Sequence, residues 1–549
     1  MTPAVAHTES RLRTEALLTD NRCDFTAAYL GVKYLDEHAR DFPGNVTDET
    51  IRALTHILKT DRFNRQKQVF FLFSEAADAL VRLATEDRLS YTAHIISALV
   101  EMMSRASGKR LRALSQALGQ LPVTLPDRET PGDTGGVYPL TVTLDTLIGH
   151  LCHGKPAQTS WKGRSLLLTG EHNRVIGVIK FANSHDNIRE LAREIWWMDR
   201  LNRGCGTGIQ LPRPLQIKGS TIFKVNCALP GDAPGILFDN VCIAFVPCPG
   251  YYDYPNMHPG RWTEDRLVSV FSKTAAFLGR AARQGIIHTA LIPLFHNRTQ
   301  QGRRNDNGAY LWEHGGRLDQ WLDSCRFPNF AASGPRDFEH IISADDSRSL
   351  RHYIGEHLLS FILVIGSYFR NKSPLRRGTD STGTPCDTRD LFCPALFSRL
   401  LETTCMTYFD ALVDAPWPEN FNLPVSDLVQ KLIHAMGRDI HMEELLRTGD
   451  QERMSDTEFN AFLRDRGVPG GYSRGAADIL LDTGPHLGGF NQPISVPELI
   501  DCLFRFSALC VAGCFLREKG LDPLKASEAA EIGFSGPSAG LPDESPCCN

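Results

Sequence analysis

From about Glu15 to Gln120, apolar residues return every three or four positions, the spacing of helices that each bury one face. The clearest runs are IRALTHILKTDRF (Ile51–Phe63), QVFFLFSEAADALVRLATE (Gln68–Glu86) and SYTAHIISALVEMMSRA (Ser90–Ala106). Asp48 and Ser90 stand where helix caps are expected, because a short side-chain oxygen there accepts from a backbone N–H that has no partner inside the helix. Three or four successive helix pairs over residues 1–121 predict a small bundle or a HEAT-like array. No period repeats, so no solenoid is expected. Residues 122–136, PVTLPDRETPGDTGG, are dense in Pro, Gly, Asp and Thr and read as a linker.

Past the linker the pattern changes. SLLLTGEHNRVIGVIKFA (Ser165–Ala182) predicts two strands around a Gly-Glu-His-Asn turn, and SHDNIRELAREIWWMDRLN (Ser184–Asn202) predicts one amphipathic helix capped by Ser184. TIFKVN (Thr221–Asn226) and NVCIAFVPC (Asn240–Cys248) add short β-rich runs. From Trp262 onward the pattern is mainly helical, except that TQQGRRNDNGAYLWEHGG (Thr299–Gly316) suits a hairpin. The end of the chain, 525–549, is rich in Gly, Ser, Pro and Glu and reads as a disordered tail. The expected class is α+β. A β-rich lobe over 137–255 followed by a larger helical lobe over 256–524 is the bilobal layout of the protein-kinase superfamily, here preceded by the N-terminal helical domain.

Composition changes little in this picture. At 549 residues the chain is too long for one core, so two or three domains are expected. With 42% hydrophobic and 22% charged residues and a net charge of −5, nothing pulls it toward nucleic acid or an anionic membrane. No apolar run approaches the roughly 20 residues needed to span a bilayer. The start, MTPAVAHTESRLRTEALL, lacks the order of a secretory signal, and a cytoplasmic protein is expected. The 15 cysteines include no C-x-x-C pair, which argues against a zinc site. Cys510 and Cys514 would share a helix face as packed thiols.

The candidate chemistry falls in three segments. Lys180 ends the apolar strand VIGVIK, where strand alternation can aim its ammonium at nucleotide phosphates while a helix carboxylate holds it. Glu190 and Glu194 lie one turn apart on the following helix, and Glu194 is favoured because it precedes the apolar IWWM run. No G-x-G-x-x-G is present. Trp161-Lys162-Gly163-Arg164 is the best phosphate-covering turn, with Arg164 suited to a bidentate phosphate contact and an ordinary solvated basic turn the alternative.

The second segment, RQGIIHTALIPLFHN (Arg283–Asn297), has the form of a kinase catalytic loop without its aspartate. His288 is followed by Thr289 and Ala290, and neither these nor Ile292 can accept the proton of a substrate hydroxyl. His288 is a candidate anchor, His296 a candidate general base and Asn297 a candidate metal ligand. In the third segment, RDFEH (Arg336–His340), Asp337 is the favoured Mg²⁺-binding acid, with Glu339 as a nearby second carboxylate and Arg336 able to pair with a phosphate or carboxylate. Asp306 is the rival acid, although its Asp-Asn-Gly context is also a turn signal. The stretch LWEHGGRLDQWLDSCRFPNF (Leu311–Phe330) could line an acceptor site or form a packed helix with ion pairs.

VIGVIK, REIWWM, HTALIPLFHN and RDFEH together resemble the SidJ-like branch of the kinase superfamily, pseudokinase-fold enzymes that glutamylate proteins. The resemblance covers roughly Trp161–His340. It implies ATP and Mg²⁺ as cofactors, adenylylation of a carboxylate on a protein or small-molecule acceptor, and attack by the amine of an amino acid such as glutamate. It also implies phosphate binding by Lys180 and metal binding by Asn297 and Asp337. The same loop and Arg-Asp pair resemble siderophore synthetases of the IucA/IucC type, which also adenylylate a carboxylate. A carboxylate is already ionised at neutral pH, so this chemistry tolerates loss of the loop aspartate. No I-Q-x-x-x-R-G-type helix is present, so a calmodulin partner is not supported. The N-terminal helices could recruit a target or simply complete the fold. Two other function classes stay open: a kinase using His296, Asp306 or Asp319 as an unconventional base, and an inactive pseudokinase scaffold.

Overall fold

In the computed structural model the described residues are 3–20, 22–42, 45–60, 63, 68–86, 89–106, 108–126, 138–171, 174–204, 209–231, 233–235, 237–255, 262–292, 327–369, 394–416 and 497–521. The expected linker, the hairpin at 299–316 and the tail therefore lie largely or wholly outside them, as do His296, Asn297, Asp306 and Asp319. The class is α+β, with a helical N-terminal region and a mixed sheet. Two compact units divide the chain: Met1–Pro122 with 418–424 and 512–549, and Val123–Trp417 with 425–511.

Among the described residues of Met1–Pro122 there are six helices: α1 (Pro3–Thr19), α2 (Phe25–Asp41), α3 (Asp48–Lys59), α4 (Val69–Thr85), α5 (Leu89–Arg105) and α6 (Gly108–Leu118). Helix α4 packs against α2, α3, α5 and α6, which is why its buried set runs almost all round, from Val69 to Ala84. Capping differs from the sequence reading. Asp48 is the first residue of α3 and Thr47 is its cap, while Ser90 falls inside α5. An acid in the first turn favours the helix dipole without capping it. Asp24, passed over in the sequence, caps α2 by accepting from Ala27 N at 2.8 Å. A cavity of about 260 Å³ in this unit is lined by Leu58, Phe73, Met102 and Leu114 among others, and none of the candidate residues lies there.

The second unit is built on a sheet ordered β1 (Leu140–Val142), β6 (Ile222–Val225), β7 (Val241–Val246), β4 (Val175–Phe181), β3 (Ser165–Thr169) and β2 (Gln158–Lys162), with β5 (Arg213–Pro214) also on β7. Among the described strands of this sheet, only the β1–β6 pair is parallel. Strand alternation sorts the residues of β4. Ile179 and Phe181 join the core beneath α7 (Leu144–Cys152), with Leu147, Leu151, Leu168 and Phe223, so Lys180 faces the other way. On that other side lies α8 (His185–Gly204), whose start is held by Ser184 Oγ accepting from Asn187 N at 3.2 Å.

Helix α9 (Glu264–Arg283) ends at Gly285, whose φ of 69° is a left-handed stop that favours glycine. The chain then enters β8 (Ile286–His288), which pairs antiparallel with β11 (Ile341–Ser343). A small hairpin of β9 (Phe330–Ala331) and β10 (Gly334–Pro335) and a 3-10 turn (Phe338–His340) lie between. These short strands were absent from the mainly helical sequence reading, because two- and three-residue strands have no measurable period. Helices α10 (Ser347–Phe369) and α11 (Pro394–Val413) pack on α9, and α12 (Pro497–Glu518) follows. No helix among the described residues is long and apolar enough to cross a membrane.

Candidate functional site

The site begins with a carboxylate on the wrong face of a helix. Glu194 shares a face of α8 with the buried residues Leu191, Met198 and Leu201, and its side chain is fully buried. A buried charge needs a partner. Lys180 provides it: Nζ lies 2.9 Å from Glu194 Oε2, and the other Glu194 oxygen has no hydrogen-bond partner. Two more acids arrive from the turn after β10. Asp337 Oδ1 is 3.3 Å and Glu339 Oε1 is 3.5 Å from the same ammonium. Asp337 itself has φ 51° and ψ 60°, a left-handed conformation that Asp tolerates better than most residues.

Arg164 closes the cluster from the β2–β3 hairpin. Its Nη2 donates to Glu339 Oε2 at 2.5 Å and its Nη1 donates to Asn187 Oδ1, while Asn187 Nδ2 donates to Glu190 at 2.5 Å. The hairpin turn is only Gly163-Arg164, and Gly163 has the φ of 56° that the first position of such a turn demands. Two cations thus stand among three acids. Burial alone would lower the Lys180 pKa, but Glu194, Glu339 and Asp337 hold it well above its ordinary value. For Glu194, burial outweighs Lys180 and pushes the carboxyl up to about 7. Glu339 goes the other way: burial is overcome by Lys180 and Arg164, and its carboxyl falls to about 2.

That depression gives a pH test. Glu339 contributes stability above its unfolded value of 4.5 and loses it as pH falls from there toward 2. The melting temperature of the wild type is therefore expected to fall faster than that of Glu339→Gln over this window, so that the two curves converge in acid. Parallel curves, measured by calorimetry, would remove Glu339 from the ion-pair cluster.

The loop His288-Thr289-Ala290 is held by its backbone. Ala290 N donates to His288 Nδ1 at 3.3 Å, so Nε2 is assigned the proton and donates to Arg336 O at 2.6 Å. Both ring nitrogens are committed, which makes His288 a positioning residue for the Arg336–Asp337 segment rather than an acid or base. His357 of α10 supports it from behind, with Nε2 donating to His288 O at 2.9 Å and Nδ1 accepting from Tyr408 at 2.8 Å. Burial lowers the His357 pKa to about 4, so this ring is neutral at pH 7. Asn329 ties the loop to the hairpin, through Nδ2 to Ala290 O and its backbone N to Leu291 O, both at 2.7 Å. Ala290, Leu291 and Ile292 are all buried.

Beside Asp337, Arg336 stacks its guanidinium on Tyr252 at 4.1 Å and Tyr251 at 4.6 Å, with Tyr254 at 5.4 Å. Lys162 holds its ammonium over Tyr252, Tyr254 and Phe327 at 4.9, 5.4 and 5.5 Å. Burial of that ammonium, reinforced by Arg336 and opposed by Asp337, lowers its pKa to about 8. The residue as a whole is exposed, so solvent screens part of this effect.

The structure thus gathers Arg164, Lys180, Glu194, His288, Asp337 and Glu339 in one place, while His296, Asn297 and Asp306 lie outside the described residues. Glu190 sits on the rim, bonded to Asn187. Sequence reasoning missed Asn329, His357 and the tyrosines of YYDY (Tyr251–Tyr254), of which only the aromatic run offered a visible signal. As a metal site, the acids divide. No group of three His, Cys, Asp or Glu side chains among the described residues could hold an ion. Mg²⁺ requires only one or two protein carboxylates beside nucleotide oxygens, which Asp337, 23% exposed, can supply. Glu339 has one oxygen on Lys180 and the other on Arg164, and suits a metal less well than the sequence suggested. No protein-family model matches the sequence, and no curated protein matches it significantly.

Proposed function

We propose that the chain is an ATP- and Mg²⁺-dependent transferase or ligase of bilobal, protein-kinase-like design, which activates a carboxylate as an acyl-adenylate and joins it to an amine in the manner of SidJ-like glutamylases. The observation that carries this reading is the buried Lys180–Glu194 pair meeting Asp337, beside a loop whose base position is the buried methyl of Ala290. An ammonium held by a helix acid next to a second acid suits the binding of nucleotide phosphates. A buried alanine suits a nucleophile that needs no deprotonation.

In this reading an ionised acceptor carboxylate attacks the α-phosphorus of ATP, the bond to pyrophosphate breaks, and the neutral amine then displaces AMP from the activated carbonyl, its proton passing to solvent. Lys180 and Arg164 neutralise phosphate charge, Glu194 orients Lys180, and His288 with Asn329 keeps the Arg336–Asp337 turn in register. Asp337 with Asn297 would hold Mg²⁺, which when bound neutralises charge on the phosphates.

Incubation with Mg²⁺, α- or γ-labelled ATP and a pool of amino acids tests the proposal. AMP and pyrophosphate are expected, and both are expected to vanish in Asp337→Ala. Release of ADP with label on an acceptor would assign phosphotransfer instead, and absence of any turnover would leave a scaffold.

A further inference from the structure

We infer that Lys162 and Arg336, with Tyr251, Tyr252 and Tyr254, form the oxyanion seat of the metal-free site, taking a polyphosphate or a carboxylate before Mg²⁺ offsets the acids around Lys180. The inference rests on the ATP-dependent reading above but makes a separate claim about where negative charge is received.

Charge balance leads to it. Lys180 and Arg164 face Glu194, Asp337 and Glu339, so their positive charge is already more than met. Until a divalent ion offsets Asp337, an incoming anion would meet no net positive charge there. Lys162 and Arg336 are the converse case. Among the described residues neither makes an ion pair within 4.0 Å, and both stand over the same two rings, Tyr252 and Tyr254. Arg336 is buried to 7% exposure, and its Nε has no hydrogen-bond partner.

A ring face attracts a cation by only about 0.5–2 kcal/mol, well short of the hydration a buried guanidinium gives up. Two like charges on one set of rings also repel. An oxyanion between them relieves both costs at once, with the planar guanidinium matching a phosphate or carboxylate edge. Burial keeps the phenols of Tyr251 and Tyr252 protonated, so they remain donors toward such a group. Lys162 lies at the end of β2 beside the tight Gly163-Arg164 turn, which places its charge on a braced hairpin rather than a loose loop.

The test is calorimetric titration of the full-length protein with inorganic tripolyphosphate, without metal. Wild type is expected to bind, and Lys162→Gln to weaken binding about tenfold, whereas Lys162→Arg retains most of it. Lys162 is exposed enough for its variants to fold, so the test does not depend on Arg336. Arg336→Lys, which keeps the charge but not the planar fork, is expected to weaken binding about fivefold. Competition separates the sources: displacement by ATP but not by glutamate assigns the seat to the nucleotide, and displacement by glutamate assigns it to a carboxylate substrate. Absent binding, or affinity unchanged in Lys162→Gln, overturns the inference. Binding through Lys162 in a protein that turns over no ATP would keep the seat and remove only the proposed reaction.

Discussion

Lys180→Ala is expected to lower the melting temperature by on the order of 10 °C and to abolish ATP turnover. The stability loss follows from what stays behind. Glu194 is fully buried, Glu339 nearly so, and one Glu194 oxygen already lacks a donor. Removing one partner of a buried pair leaves an uncompensated charge and costs about 3–5 kcal/mol, whereas replacing both partners by apolar groups is often neutral. The double variant Lys180→Met/Glu194→Leu should therefore regain most of the lost stability while remaining inactive. That divergence separates the fold from the chemistry: a purely structural pair would let activity return along with stability. Calorimetry and AMP release on the two variants decide the matter. A Lys180→Ala protein as stable as the wild type would mean that the pair is not buried in solution.

Ala290→Asp, which restores the residue a kinase places in this loop, is expected to damage the protein instead of converting it. The Ala290 side chain is wholly buried, and the loop around it is fixed by His288 and Asn329. An aspartate there would place a carboxyl where water is excluded. A carboxyl buried in this way has its pKa raised by several units, a penalty on the order of 4 kcal/mol at pH 7. The sign is specific. The folded-state pKa lies above the unfolded value of about 3.9, so the deficit is full above the raised value and disappears as pH falls toward 4. Ala290→Asn, which adds bulk without charge, should show a smaller deficit with no such pH dependence. Melting curves from pH 4 to 7 distinguish the two, with ADP release as the second readout. A stable Ala290→Asp variant that forms ADP and labels an acceptor would turn the loop back into that of a kinase.

The parts of the site readable in the sequence were those written in local periods. Lys180 could be placed because strand alternation in VIGVIK leaves one polar residue at the end of a run. Glu194 could be placed because it precedes the apolar IWWM run of its helix. Glu339 is the instructive half-success. It was visible as a second acid after Asp337, yet its role as the meeting point of Lys180 and Arg164 depends on a hairpin brought in from elsewhere in the chain. His288, expected as an anchor, is bonded to the Ala290 and Arg336 backbones, partners that the motif alone could not name.

The alternation of β4, the apolar face of α8, the glycine that permits the β2–β3 turn and the alanine at position 290 are properties of short segments, and the chain by itself determines them. The alanine in particular excludes a base at that point whatever the fold. Which charges neutralise each other is a different kind of fact. Lys162, Arg336 and the tyrosines of YYDY come from three separate segments, and only their convergence leaves two cations without a close ion pair among the described residues while Lys180 has three. Coulomb energy depends on distance in space and on the water excluded between the charges, and neither is a function of separation along the chain. For that reason the loop without its aspartate could be seen in the sequence, but where the site receives negative charge was decided by the tertiary structure.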